Sequence, residues 1–133
     1  MTTYTVTTDL KQMKEANLRL IEIFNSGDLE RMEQMVDELY APDAVLHSPP
    51  QPDLPPGVAG VKQFMRRMLN AYTNVHLTLN SMFGEGNELA LRYTWQATNA
   101  ATGEKETMIL LNIGRWEGGK IVEEWELGKA PTV

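Results

Sequence analysis

Leu10, Met13, Asn17, Leu20 and Phe24 fall three and four residues apart, the spacing of one helix face, until "NSGD" at 25–28 interrupts them with Gly27. This spacing predicts a first helix over 9–25. Leu29, Met32, Val36 and Leu39 repeat it and predict a second over about 28–40. Pro42 ends that pattern, because proline cannot continue a helix and biases the residue before it toward extended geometry. "AVLH" at 44–47 is a short strand candidate leading into "SPPQPDLPPG". Val61, Phe64, Met65, Met68 and Tyr72 then mark a third helix.

From Val75 onward the period becomes two, and turn chemistry separates the runs: "GEGN" at 84–87, "NAATGE" at 99–104 and "EGGK" at 117–120. Four strands joined as hairpins follow. Helices first and an antiparallel meander afterwards predict an α+β domain over 1–133, with the helices packed on one sheet face.

Alternation assigns the faces. Leu89, Leu91, Tyr93 and Trp95 share one side, and Arg92, Thr94 and Gln96 the other. If Gly118 and Gly119 form a two-residue turn, Trp116 faces Ile121, Gly114 faces Glu123 and Asn112 faces Trp125, with Leu111, Ile113 and Val122 opposite. Apolar residues on both sides imply a sheet covered twice, and three helices will not cover both faces.

Composition removes several function classes. A chain of 133 residues buries roughly two thirds of its unfolded surface, enough for a core and a pocket. The net charge is −6, and no Lys/Arg cluster exceeds Arg66-Arg67, so a nucleic-acid partner is not expected. The chain lacks cysteine, which removes disulfides, thiolate nucleophiles and cysteine-type metal sites. With no signal-like start and no long apolar run, a soluble cytoplasmic protein without membrane contact is expected.

His47 and His76 are the only histidines, and neither stands in a zinc- or iron-binding spacing, so no metal is expected. The glycine pairs sit in hairpin turns rather than in a phosphate-binding loop, so no nucleotide cofactor is expected either. Histidine as a residue type can give or take a proton near neutral pH, so the position of His47 suits acid–base work; alternatively it bonds a backbone carbonyl before a proline-stiffened loop. His76 alternates with Val75 and Leu77, as a pocket residue or a solvated one. Tyr72 and Trp125 serve either as core or as flat pocket walls for a ring-shaped ligand.

"GRWEGGKIVEEW" resembles the closing hairpin of SnoaL-like polyketide cyclases, within the nuclear transport factor 2-like superfamily. "HSPP", "YTNVHLTLNSMFGEGNELALRYT" and the helix-rich start extend the likeness over roughly residues 10–128. The resemblance implies a cone-shaped roll: N-terminal helices on a curved, antiparallel or mixed sheet around a mostly apolar cavity, with a convex face that often makes a dimer. It implies that His47 lies at the cavity wall, and that Arg92 matches an arginine which bridges two aspartates in related epoxide hydrolases. Thr94 stands where the resemblance places a hydrolase aspartate and Lys129 where it places the cyclase aspartate, so neither the hydrolase machinery nor the usual cyclase acid is expected.

Glu123 is the substitute acid, on one predicted face with Asn112 and Trp125, unless it forms a salt bridge to Arg92. The expected function is cofactor-independent acid–base catalysis (cyclisation, isomerisation or dehydration) on a small apolar or aromatic ketone-type ligand. His47 and Glu123 would move the proton, with Arg92, Asn112, Trp125, Tyr72 and His76 around the ligand. The alternative is a non-catalytic ligand-binding or dimerisation module. A homodimer is expected through Leu91, Tyr93, Trp95, Leu111, Ile113 and Val122 on the convex face.

Overall fold

In the computed structural model, which describes residues 9–48 and 55–129, the Asp9 side chain accepts the Lys11 backbone N–H and opens helix α1 (Leu10–Asn25). Asp28 caps α2 (Leu29–Leu39) in the same way through the Arg31 N–H. Each cap satisfies an amide that a helix start leaves unpaired. Both helices follow the predicted spans closely. Helix α3 (Val58–Ala71) begins behind Gly57, whose φ is 93°. A Cβ there would stand 2.5 Å from the Pro42 carbonyl oxygen, and the Gly57 N–H donates to Ala44 O at 2.6 Å. Glycine therefore pins the start of α3 against the first strand. Residues 49–54 of the predicted proline loop lie outside the described residues.

The strands are β1 (Tyr40–His47), β2 (Tyr72–Glu85), β3 (Glu88–Asn99), β4 (Lys105–Glu117) and β5 (Lys120–Lys129). They form one mixed sheet in the order β1-β5-β4-β3-β2, with β1 parallel to β5 and the other pairs antiparallel. β1 begins directly behind α2, earlier than predicted. Pro42 lies within it, in the stretch between Tyr40 and Val45 where pairing to β5 shifts, and a strand tolerates proline at such an irregularity. β2 also begins early, at Tyr72; Asn74 has φ 52° at a register shift between Thr73 and His76.

Met13, Phe24, Met32, Val36, Val61 and Met65 bury the helices against one side of this sheet. Asn25 ties α1 to β2 through both amide atoms: Nδ2 donates to Leu77 O at 2.9 Å and Oδ1 accepts the Leu77 N–H at 2.7 Å. The result is the expected α+β fold, helices on one face of an open, cone-like sheet.

Two face assignments are corrected. Leu91, Tyr93 and Trp95 do share a side, but it is the helix-covered one: all three are buried, whereas Arg92 is exposed and its Nε donates to Ser81 Oγ at 3.3 Å. Bulky apolar side chains lie where helices remove them from water, and the charged alternates take the open face. The three therefore cannot form a convex dimer patch. Leu111 and Ile113 do lie exposed on the outer face, and Val122 is half-buried.

The second correction concerns β5. Gly118 and Gly119, with φ 58° and 80°, make the predicted tight turn, and Trp116 does face Ile121. The next pair, however, is Arg115 with Glu123, so Val122 is an extra residue, a β-bulge. Beyond it Gly114 faces Glu124 and Asn112 faces Glu126, instead of Glu123 and Trp125. One added residue exchanges the two sides of a strand. Glu124 and Glu126 turn inward, and Glu123, Trp125 and Leu127 turn out.

Candidate active site

Between the helices and the inner face lies a cavity of about 90 Å³. Its walls are mostly apolar and aromatic, including Phe24 from α1, Phe64 and Met68 from α3, and Trp95 from β3. Its polar side is built by the bulged strand and its neighbours: Glu124 and Glu126 from β5, Asn112 from β4, Tyr93 from β3 and Tyr40 from β1. None of the described residues lining it is Lys, Arg or His.

Glu124 is buried, and Tyr40 donates its hydroxyl to Glu124 Oε1 at 2.8 Å. Burial pushes its carboxyl up to about 7, and the neighbouring Glu126 charge adds to the rise; hydrogen bonds from Tyr40 and Asn112 oppose it. Tyr93 donates to Glu126 Oε1, also at 2.8 Å. Burial raises the Glu126 carboxyl as well, against the pull of Tyr93. The two phenols are held well above their ordinary range, by burial first and by the adjacent glutamates second, so both stay donors at neutral pH. Residues 124 and 126 project from one side of a strand about 7 Å apart along the chain. Two carboxyls on one strand face, with no cation among the described cavity-lining residues, disfavour joint ionisation, and both are raised above their ordinary range.

The sequence-predicted site residues divide. Asn112 lines the cavity, with Glu124 rather than Glu123 beside it. His47, Glu123 and Trp125 form a separate cluster on the outer face. His47 Nε2 is 2.8 Å from Glu123 Oε2, Arg115 Nη2 donates to Glu123 Oε1 at 3.4 Å, and the His47 and Trp125 rings stack with centroids 5.6 Å apart. The bond to His47 and the Arg115 guanidinium lower the Glu123 carboxyl, against a smaller upward push from burial. The partner of Glu123 is thus Arg115 with His47, not Arg92. His76 is exposed on β2 beside Thr78. Tyr72 stands behind the cavity wall, edge-on to Trp95 with centroids 4.7 Å apart, and its phenol, raised mainly by burial, bonds Glu106.

Sequence reasoning missed Glu124, Glu126, Tyr40 and Tyr93. The available signal was the pair of acids two apart in "EEWE", the spacing that puts two carboxyls on one strand face.

No described helix is long and apolar enough to cross a membrane, and no metal-binding cluster of His, Cys, Asp or Glu occurs among the described residues. The chain matches no protein of curated function. Among solved structures, IdmH of Streptomyces antibioticus, assigned as a polyketide cyclase, is 28% identical over 87% of this chain and 91% of its own, with a TM-score of 0.74. AclR of Streptomyces galilaeus, assigned as a hydroxylase, shares the fold at 23% identity, covering 91% of each chain with a TM-score of 0.77. A SnoaL-like protein of Jannaschia sp. CCS1, assigned as a polyketide cyclase, shares it at 12% identity, over 90% of this chain and 86% of its own, with a TM-score of 0.79. The SnoaL-like domain profile itself matches residues 18–124, and the chain belongs to that family, with its nuclear transport factor 2-like fold.

Proposed function

We propose that the cavity carries out cofactor-independent acid–base chemistry, a cyclisation, isomerisation or dehydration, on a small apolar or aromatic ketone-type ligand. The observation that carries this reading is the Glu124–Glu126 pair, one carboxyl pushed up to about 7, facing an apolar volume with no countercharge among its described lining residues. A pair sharing one proton has both a donor and an acceptor ready at neutral pH. The protonated carboxyl gives its proton to the carbonyl oxygen while the ionised one takes a proton from the α-carbon. The neutral enol formed then reacts or regains a proton at another carbon. Asn112 and the two tyrosines hold the carboxyls in place, and His47 and Glu123 take no part in the proton transfer.

The reading extends to assembly. The outer face exposes Ile109, Leu111, Ile113 and Leu127, and a second copy of the chain covering that face forms a homodimer.

The test is proton exchange. With 2-indanone in D2O, the native protein is expected to accelerate loss of the α-proton NMR signal about 10²–10⁴-fold over the Glu124→Gln, Glu126→Gln double variant, the range general acid–base catalysis supplies. Equal rates would reduce the protein to a ligand-binding module of the same fold.

A further inference from the structure

The buried residues of α1 are Met13, Asn17, Ile23 and Phe24, and Asn17 is the polar one among them. It occupies a position of the inward stripe where the helical spacing calls for an aliphatic side chain, and it is 8% exposed. Asn17 lines the cavity, to which α1 otherwise contributes Leu20, Ile21 and Phe24. Burying an amide among such neighbours costs free energy that a leucine would not, unless both ends of the amide find partners.

The two ends differ. Nδ2 donates to Met13 O at 2.9 Å, one turn back along the helix. That bond fixes which way the amide points, but it does not explain the asparagine, because in an α-helix the carbonyl of residue 13 already accepts the N–H of residue 17. Oδ1 has no donor among the described residues. The described side-chain atoms that are both unpaired and sealed off are Asn87 Oδ1 and Trp95 Nε1. Asn17 Oδ1 is not one of them, so it keeps accessible surface, and the space its side chain borders is the cavity.

The protein's own donors nearby are committed elsewhere. Tyr40 gives its hydroxyl to Glu124, Tyr93 gives its hydroxyl to Glu126, and Asn112 also bonds Glu124. An acceptor with room beside it, in a wall of leucine, isoleucine and phenylalanine, is placed for a donor that arrives with the ligand. The carboxyls of the cavity belong to β5, so the α1 wall suits a neutral donor; an ammonium there would lack a countercharge from its own wall.

We infer that Asn17 is a specificity-determining residue whose Oδ1 accepts a hydrogen bond from a hydroxyl group of the ligand. The ligand class is a hydroxylated ring compound, a phenol or alicyclic alcohol, whose hydroxyl meets α1 while its ring fills the apolar volume. In a ketone-type ligand this hydroxyl is a second group, apart from the reacting carbonyl. The inference goes beyond the acid–base reading and concerns binding alone, so it applies equally to a ligand that is turned over and to one that is only held. A ligand with methyl in place of hydroxyl shuts Oδ1 away from water without a partner, and is disfavoured for that reason.

p-Cresol and p-xylene form the test pair, hydroxyl against methyl on the same ring. Their affinities are measured by NMR titration of the native protein and of Asn17→Leu, which installs the residue type the stripe otherwise uses. The ratio of the p-xylene Kd to the p-cresol Kd is expected to fall about tenfold in Asn17→Leu, the worth of one hydrogen bond to an otherwise unpaired acceptor. It should change less than about threefold in the Glu124→Gln, Glu126→Gln double variant, well short of one hydrogen bond. In parallel, the Asn17 side-chain carbonyl resonance of the native, 13C-labelled protein should move downfield with p-cresol but not with p-xylene. This decides the matter should Asn17→Leu fail to fold. An unchanged ratio in Asn17→Leu, a ratio that collapses only in the glutamate double variant, an unmoved resonance, or no binding of p-cresol would each overturn the assignment. The acid–base reading fails on a different result: equal 2-indanone rates in the native protein and the double variant, with the p-cresol preference still dependent on Asn17.

Discussion

Three glutamates within four residues of β5 stand in opposite chemical situations. On the inner face Glu124 and Glu126 have only hydroxyl and amide donors, and their carboxyls rise. On the outer face Glu123 has His47 and Arg115, and its carboxyl falls. Local sequence does not distinguish them. What distinguishes them is the half-turn of the strand fixed by the bulge at Val122, which sends one carboxylate to His47 and Arg115 and two to the cavity. A lowered, ion-paired carboxylate is a poor proton donor at neutral pH, whereas a raised one is poised to give and take.

The largest expected effect breaks this comparison through turnover. On a ketone with an exchangeable α-proton, Glu124→Gln combined with Glu126→Gln should lower the rate about 10²–10⁴-fold. Glu123→Gln and His47→Ala should each change it less than threefold. Rates measured by NMR for the native protein and these three variants check the assignment, and the reverse ranking would return the chemistry to the outer face.

Stability against pH is the next contrast. The folded-state value of about 7 for Glu124 lies above its ordinary 4.5, so the native state holds a proton the unfolded chain releases. Its contribution is complete below about pH 4.5 and is lost as pH rises to about 7, a change of about 3 kcal/mol. Urea unfolding between pH 4.5 and 8 should show this slope, and Glu124→Gln should flatten it. Glu123 has the opposite sign: its lowered carboxyl stabilises above its unfolded value and loses that contribution as pH falls through the folded one. Glu123→Gln should therefore leave the neutral slope in place and weaken only the acid side.

A smaller change should sharpen the inner half. Tyr40→Phe removes the hydroxyl that donates to Glu124 and opposes its upward shift. The Glu124 carboxyl should rise further, moving the alkaline limb of the rate profile up by about one unit, the equivalent of one hydrogen bond to a charged group. His47→Ala should leave that limb unmoved.

The helices, the hairpin turns and the overall architecture were legible because each leaves a local signature: Leu10 to Phe24 and Leu29 to Leu39 at helical spacing, Gly118-Gly119 in the turn. The site was less legible because it depends on parity. Placing Arg92 inward also placed Leu91, Tyr93 and Trp95 outward, although their combined apolar surface belongs under the helices. The bulge at Val122 has no comparable mark in "GGKIVEEWE", since any residue there can be the extra one. Counting from the turn without it turned Glu123 inward and Glu124 out. Asn112 escaped the error because it was counted from Trp116 along β4 itself, which alternates regularly, whereas the extra residue lies on β5.

The smallest expected effect on the single chain concerns the outer apolar residues. Ile109, Leu111, Ile113 and Leu127 are 47%, 49%, 43% and 50% exposed, and Leu111 faces Leu127 across β4 and β5 while Ile113 faces Trp125. Side chains on the same face of neighbouring strands are contiguous, and a contiguous apolar patch on a soluble protein marks a surface that another body covers. On the inner face such residues meet helices of their own chain; on the outer face the described residues supply no helix, and a second copy can meet like with like about a two-fold axis. Leu111→Asp should therefore cost a monomer no more than about 0.5 kcal/mol, because half-exposed surface positions rarely matter more. It should nonetheless halve the sedimenting mass at micromolar concentration, since two introduced carboxylates would be forced together across the axis. A native chain that sediments as a monomer would leave the patch uncovered and remove the homodimer from the proposed function, while Glu124 and Glu126, on the other side of the sheet, would keep their cavity unchanged.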